Sequence, residues 1–211
     1  MALESPSTPT GKVTRSLTLR RPDICAYLMR LGQPRKIARM NTRYRRRRAA
    51  TAYHEAGHAV IAHILGCQVV LVSIVRQGTT RGRAHSDSPG DPEQNAWILL
   101  AGPTAQWMSG YCTRRSVWRY LWRASDGQDL GELLDRVATS DAEKWATCSK
   151  WVTDAEKLVK KHWHLIDRVA RVLLEHRRLA AVQFHAALNG DAIPPLSIRR
   201  GMDEEGWLFS E

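Results

Sequence analysis

The feature that most constrains this chain is the run HEAGH at residues 54–58, which lies in a segment predicted to be helical, from Ala49 to Leu65. At 100° per residue, His54 and His58 lie one turn apart on one helix face, so both imidazoles can bind the same metal ion. Glu55 projects from the adjacent face, where its carboxylate can accept a proton from a metal-activated water. The motif therefore predicts a zinc-dependent hydrolytic centre with Glu55 as its base.

A catalytic zinc site needs a third protein ligand, and the residues alone leave several candidates. His63 is excluded, because nine residues after His54 is a rotation of about 900°, which places it on the opposite side of the helix. The remaining side chains of suitable chemistry lie further along the chain: His85, Asp126, Asp129, Glu132, His162 and His164. Residue type and spacing do not choose among them.

The rest of the chain is predicted to be mainly helical with one small β element. Gly66 terminates the first helix, and Gly57 within it, which costs about 1 kcal/mol relative to alanine, predicts that another element approaches closely. Residues 69–75 are rich in β-branched side chains and predict a strand. The later segments are predicted as a loop at 76–92, a helix at 93–108 interrupted at Gly102-Pro103, an irregular stretch at 110–123, and helices from Asp126 to about Asn189.

Charge is distributed unevenly along the chain. Residues 1–50 hold 13 lysines and arginines against two acids, whereas residues 51–211 hold 19 bases and 19 acids, so the net charge of +11 belongs to the first quarter. This distribution argues against nucleic acid as a partner, except through the basic segment 12–48. The longest apolar stretch, 59–75, is too short and too mixed for a membrane span, and the four cysteines are far apart. A cytoplasmic protein without a membrane span is therefore expected.

Four short blocks of this sequence, in the same order, resemble the peptidase domain of the FtsH-type proteases, in which that domain follows an AAA ATPase domain. Residues 52–60 (AYHEAGHAV) resemble the zinc-site helix, and residues 72–78 (VSIVRQG) resemble the strand that ends in Pro-Arg-Gly. Residues 98–106 (ILLAGPTAQ) resemble the Leu-Ala-Gly-Arg-Ala-Ala-Glu helix, and residues 125–130 (SDGQDL) resemble the Gly-Ala-x-Asn-Asp-Leu segment. The stretch 155–188 is similar to the long C-terminal helical pair.

The resemblance implies a helical FtsH-like zinc peptidase domain with a small β element at 47–189, between a basic arm at 1–46 and a tail at 190–211. It singles out Asp129, the Asp before Leu in the last block, as the third zinc ligand beside the two histidines, with Asp126 as the runner-up. It also implies that the edge of the predicted strand holds an extended polypeptide substrate by strand pairing. The residues of that edge are Val72, Ser73, Ile74 and Val75.

The chain departs from the family pattern in ways that bear on activity. It contains no GxxxxGK[ST] phosphate-binding motif and lacks the family's membrane anchor, so the expected activity is an ATP-independent metallopeptidase acting on extended or unfolded polypeptide. Gln106 stands where the family has Glu, and Pro103 interrupts the same helix. Both changes bear on the hydrogen bonds that orient the metal ligands. Gln106 and the missing ATPase motif leave open an alternative, a low-activity or inactive binding or regulatory module. FtsH-type proteases assemble as rings, but their ATPase domain contributes to that assembly, so ring formation is not carried over to this chain. A homo-oligomer, in which the partner is a second copy of the chain, stays open.

Tryptophan is unusually frequent, with eight tryptophans against two phenylalanines. Trp107, Trp118 and Trp122 crowd the region between the interrupted helix and Asp129. Core packing is expected for these three rings, and an apolar substrate wall or a self-association surface is the alternative.

Overall fold

The computed structural model describes residues 34–78 and 82–195. Most of these residues are helical, and one small three-stranded sheet completes the fold, which confirms the predicted mainly α architecture with a small β element. The chain divides into one unit up to Arg43 and a larger compact unit from Tyr44 onward. Most of the predicted arm and of the predicted tail falls outside the described residues, at 1–33 and 196–211.

Three of the described helices begin where a polar side chain accepts from a free backbone N–H group. The Asp91 carboxylate accepts from the Glu93 N–H at 2.8 Å, and Ser140 forms a capping box with Glu143. The elements of the described residues follow in this order: α1 at Pro34–Ile64, β1 at Val69–Ser73, β2 at Arg83–Ser86, α2 at Pro92–Met108, α3 at Arg114–Leu121, α4 at Ser125–Val137, α5 at Asp141–Lys161, α6 at Trp163–His176, β3 at Arg178–Ala180, and α7 at Ala181–Asn189.

Three elements were not predicted from the sequence. Strand β2 lies inside the predicted loop and β3 inside a predicted helical region, because both are short and form only by pairing with β1. Helix α3 lies in the predicted irregular stretch, where the Thr113 hydroxyl caps it by accepting from the Ser116 N–H at 3.2 Å. Gly102-Pro103 was expected to end or kink the helix, and an end there is wrong, since α2 continues to Met108.

The sheet has the order β2-β1-β3, with both pairings antiparallel, so β1 is the central strand. Its residues Leu71, Val72 and Ser73 pair on both sides: with His85, Ala84 and Arg83 of β2, and with Ala180, Leu179 and Arg178 of β3. Beyond the strand, the Ile74 N–H donates to the Arg177 carbonyl at 2.9 Å. The edges of this sheet therefore belong to β2 and β3.

Helix α1 is the buried centre of the larger unit. Side chains along its second half are at most 1% exposed: Ala52, Ala56, Ala59, Val60 and Ile61. They share one apolar cluster with side chains of β1, α6 and α7, while a second cluster joins α2, α4 and α5. No helix in the described part of the chain has the length and apolar character needed to cross a membrane.

Side-chain contacts set the rotation of α1 about its own axis. The Tyr53 hydroxyl donates to Asp167 Oδ1 at 2.5 Å, and its ring stacks on Trp163 with the centroids 5.6 Å apart. One turn earlier, the Arg48 guanidinium donates to the Leu174 carbonyl. Because Tyr53 directly precedes His54, these contacts also determine where the histidine face of α1 points.

Candidate metal centre

Two histidines of α1 and one carboxylate of α4 converge on a single point. The Nε2 atoms of His54 and His58 lie 3.0 Å apart, and Asp126 Oδ2 lies 3.1 Å from the first and 3.6 Å from the second. Within the described residues, these three side chains form the one group of three metal-ligating atoms that lie within 4.8 Å of one another. The predicted pairing of His54 and His58 is therefore present in the fold.

The other ring nitrogens decide which atoms face that point. His58 Nδ1 lies 2.8 Å from the Ile98 carbonyl oxygen, and His54 Nδ1 lies 3.2 Å from Gln106 Oε1. Since a carbonyl oxygen only accepts, both Nδ1 atoms must carry the proton and donate. Neutral imidazoles in this tautomer present lone pairs at both Nε2 atoms, next to a carboxylate oxygen. In the metal-free protein a proton on His58 Nε2 bridges these acceptors, and a metal ion that displaces this proton would meet all three of them.

The spacing of these three atoms fits zinc. Zinc binds histidine nitrogen and carboxylate oxygen at about 2.0–2.2 Å with tetrahedral geometry, so two ligand atoms on one ion lie about 3.3–3.5 Å apart. The observed separations of 3.0, 3.1 and 3.6 Å bracket that range. The side chains remain 19%, 12% and 19% exposed for His54, His58 and Asp126, which leaves the centre open to water.

The same three groups perturb one another electrostatically. Burial alone would lower the pKa of His58, but the hydrogen bond to Asp126 and the Asp126 charge outweigh it and raise this pKa to about 9. Burial would likewise raise the pKa of Asp126, yet its hydrogen bonds with His54 and His58 hold it well below its usual range. The Asp126 carboxylate is thus ionised at neutral pH, which is the form that binds a metal.

Glu55 lies beside this group and is almost completely buried, at 6% exposure. Burial raises the pKa of its carboxyl group, while the charges of His54 and His58 oppose that shift. The backbone N–H of Ala84 in β2 also faces the carboxylate and lowers this pKa slightly. A Cβ atom at Gly82 would lie 2.5 Å from Glu55 Oε1, so the glycine provides the space that the carboxylate occupies. The predicted base is therefore positioned by the backbone of β2.

Two glycines allow α1 and α2 to approach closely enough to build the centre. A Cβ atom at Gly57 would lie 2.6 Å from the Ala101 carbonyl oxygen and 2.8 Å from Ala105 Cβ, which confirms the close approach predicted for Gly57. A Cβ atom at Gly102 would lie 2.2 Å from His58 Nε2. Side chains at either position would displace α2 or the His58 ring.

The structure groups Asp126, the runner-up, with the histidines, and not the preferred Asp129. Taking Leu130 as the centre of the buried stripe of α4, Asp126 lies about 40° from it and Asp129 about 100°. Leu130 is fully buried, and Asp129 is exposed. Helical periodicity therefore places Asp126 closer to the buried face of α4, whereas the resemblance to the FtsH-type family favoured Asp129.

The predicted substrate edge at Val72, Ser73, Ile74 and Val75 is also corrected by the sheet order. Val72 and Ser73 pair on both sides within the sheet, and the Ile74 and Val75 N–H groups donate to Arg177 and to the Ser73 hydroxyl. This segment is not an edge. The other sequence candidates, His85, Glu132, His162 and His164, do not join the described group of metal-ligating atoms.

Gln106, which stands where the FtsH-type pattern has Glu, was expected to weaken the hydrogen bonding around the metal centre. Its Oε1 atom faces His54 Nδ1 at 3.2 Å, and its Nε2 atom donates to Cys112 Sγ at 3.5 Å. An amide oxygen accepts the imidazole proton just as a carboxylate oxygen does, without adding charge. The substitution therefore keeps the hydrogen bond that orients His54.

A comparison with models of known protein families finds no match to this chain, and a comparison with curated proteins finds none either. The resemblance to the FtsH-type peptidase domain stays a prediction from the four sequence blocks. The residues and geometry of the centre are consequently the main guide to its function.

Proposed function

We propose that this protein is a zinc-dependent, ATP-independent metallopeptidase that hydrolyses peptide bonds of extended or unfolded polypeptide. The observation that carries the proposal is the convergence of His54 Nε2, His58 Nε2 and Asp126 Oδ2, with Glu55 beside them. Two histidines, one carboxylate and an adjacent acidic side chain are the set that a hydrolytic zinc site uses. The resemblance to FtsH-type peptidases supports the same activity.

His54, His58 and Asp126 would hold a zinc ion, which would act as a Lewis acid on the scissile carbonyl and lower the pKa of a water toward about 7. Glu55 accepts the proton of that water and returns it to the leaving amine. Burial favours this role, because a carboxyl group with a raised pKa exchanges protons more readily near neutral pH. Ile98 and Gln106 hold the two imidazoles so that Nε2 faces the metal.

The sheet edge that lies next to Glu55 is β2, since Gly82, the residue just before this strand, packs directly against the Glu55 carboxylate. We infer that an extended substrate pairs along β2 and not along the central strand β1. This places a peptide backbone beside the base. The arrangement suits an unfolded segment, because a folded protein does not offer a free extended strand.

The alternative of a low-activity or inactive module rested on the missing ATPase motif and on Gln106. The hydrogen bond from His54 to Gln106 Oε1 argues against the second reason. The missing ATPase motif restricts the substrate to polypeptide that is already extended, and we favour the active enzyme on such substrates.

The test measures zinc after dialysis and then cleavage of casein and of fluorogenic peptides. Glu55→Gln should retain stoichiometric zinc and lose about 10²–10⁴-fold in kcat, because the variant keeps the ligands and removes the base. Glu175→Gln, which changes an exposed carboxylate on α6, is the matched control and should cleave normally. Stoichiometric zinc without cleavage in the wild type, or cleavage that survives Glu55→Gln, would refute the peptidase.

A further inference from the structure

The helix next to the metal centre presents a cationic surface that the catalytic proposal does not use. No acidic residue occurs between Glu93 and Asp126, and this stretch contains four arginines, on or just after α3. Arg114 is already engaged, because it pairs with Glu156 at 2.6 Å and lies over the Trp107 ring. The other three, Arg115, Arg119 and Arg123, are exposed.

These three arginines share one side of α3 with an aromatic ring. At 100° per residue, Arg115, Arg119 and Trp122 lie within about 60° of one another, and Arg123 follows directly. Trp122 is 54% exposed, so the expectation that it packs in the core is wrong. Within the described residues, no carboxylate pairs with Arg115, Arg119 or Arg123. We call these four residues, Arg115, Arg119, Trp122 and Arg123, the α3 surface.

The α3 surface adjoins the metal centre through two contacts. A Cβ atom at Gly127 would lie 2.2 Å from the Leu121 carbonyl oxygen and 3.0 Å from Trp122 Cα, so the first turn of α4 packs against the end of α3. Asp126 lies in that same turn. The segment before α3 touches the centre as well, because Cys112 Sγ accepts from Gln106, which holds His54.

We propose that the α3 surface binds an acidic segment of the polypeptide substrate and so selects substrates in which carboxylates accompany apolar side chains. This inference rests on the proposed function. Three guanidinium groups without counterions repel one another, and a bound carboxylate relieves this repulsion. A carboxylate can also accept two parallel hydrogen bonds from one arginine. Trp122 offers an apolar face at the same place. A polypeptide is the occupant because the surface adjoins a site proposed to cleave one.

The binding test uses zinc-loaded Glu55→Gln full-length chain, so that no cleavage interferes. The acidic probe is a fluorescein-labelled peptide with glutamates on both sides of Trp-Leu-Phe. The basic comparison peptide has lysines in place of the glutamates. Anisotropy should show that the acidic peptide binds more tightly and that salt weakens this binding. Arg115→Gln/Arg119→Gln/Arg123→Gln should weaken it about tenfold.

The matched control is Arg45→Gln/Arg46→Gln/Arg47→Gln, which removes three exposed arginines from α1. This variant should bind the acidic peptide normally, and in the active protein the α3 variant should raise KM for the acidic peptide with kcat unchanged. Equal binding of both peptides, or equal weakening by both triple variants, would overturn the proposal. So would an RNA oligonucleotide or an anionic phosphatidylglycerol vesicle that binds the α3 surface more tightly than the peptide.

The two proposals fail separately. If the peptide binds through the α3 surface but the wild type cleaves nothing, the peptidase is refuted and the surface remains as a binding site for acidic polypeptide. If acidic and basic peptides are cleaved equally well, the α3 surface is refuted and the peptidase stands.

Discussion

Replacing Gly102 by alanine should remove zinc binding while leaving the fold intact. The added Cβ atom would lie 2.2 Å from His58 Nε2 and 2.6 Å from its Cδ2 and Cε1 atoms. Ordinary contact begins near 3.5 Å, so the ring or α2 must move by about 1 Å. A metal site tolerates a displacement of its ligands by only about 0.5 Å. The His58 ring cannot move further without losing the hydrogen bond from its Nδ1 atom to the Ile98 carbonyl.

We therefore expect Gly102→Ala to lower zinc affinity by at least about a hundredfold. Overpacking costs about 1–3 kcal/mol, and alanine returns up to about 1 kcal/mol of helix propensity, so the free energy of unfolding should fall by at most about 3 kcal/mol. Zinc affinity is measured by competition with a chelating indicator, and folding by circular dichroism and thermal unfolding. Gly131→Ala in α4 is the matched control, because a Cβ atom there meets nothing within 4 Å. Unchanged zinc affinity in Gly102→Ala would refute the geometric reasoning.

Two further predictions concern the surroundings of the centre. Tyr53→Phe removes the hydrogen bond to Asp167 and should lower the free energy of unfolding by about 1–2 kcal/mol, as measured by urea unfolding. Zinc affinity should stay unchanged, because the stacking on Trp163 and the contact of Arg48 with Leu174 still fix the rotation of α1. A large loss of affinity in a zinc titration would contradict this. Zinc affinity should rise about tenfold per pH unit up to about 9, because zinc displaces a proton from His58, whose pKa is raised from 6.5 to about 9. For the same reason, the stabilisation of metal-free protein by protonated His58 is complete below pH 6.5 and is lost as the pH rises through about 9. Calorimetry in buffers of different ionisation enthalpy measures the released proton, and an affinity independent of pH would refute the assignment.

The parts of the fold that follow from local patterns were predictable. The part of α1 from Ala49 on, its end before Gly66 and the close approach at Gly57 follow from periodicity and from the presence of glycine in a helix, whereas the earlier start of α1 at Pro34 was not predicted. Gly66 has φ +88°, the left-handed conformation that favours glycine after a helix. Strand β2 was not predictable, since its four residues carry no alternating pattern and depend on β1 for pairing.

The candidate site shows the same division. The two histidines and Glu55 were predicted from their spacing within one helix, where the relative positions of side chains follow directly from the sequence. The third ligand depends on where α4 lies relative to α1. The resemblance to the FtsH-type family favoured Asp129, although Asp126 lies closer to the buried face of α4. The roles of Gly102 and Gly82 could not be predicted from the sequence. These glycines leave space for His58 and Glu55, and that space matters only because α2 and β2 approach the two side chains in the fold.

The most direct test of the metal centre compares zinc binding by Asp126→Asn and Asp129→Asn, each against the wild type. Both substitutions keep size and remove one charge, so their difference reports which carboxylate is the ligand. We predict that Asp126→Asn loses at least about a hundredfold in zinc affinity, because it removes the oxygen that lies 3.1 Å from His54 Nε2. Asp129→Asn should bind one zinc per chain with nearly wild-type affinity. The reverse result, with zinc lost in Asp129→Asn and kept in Asp126→Asn, would contradict a centre built from His54, His58 and Asp126.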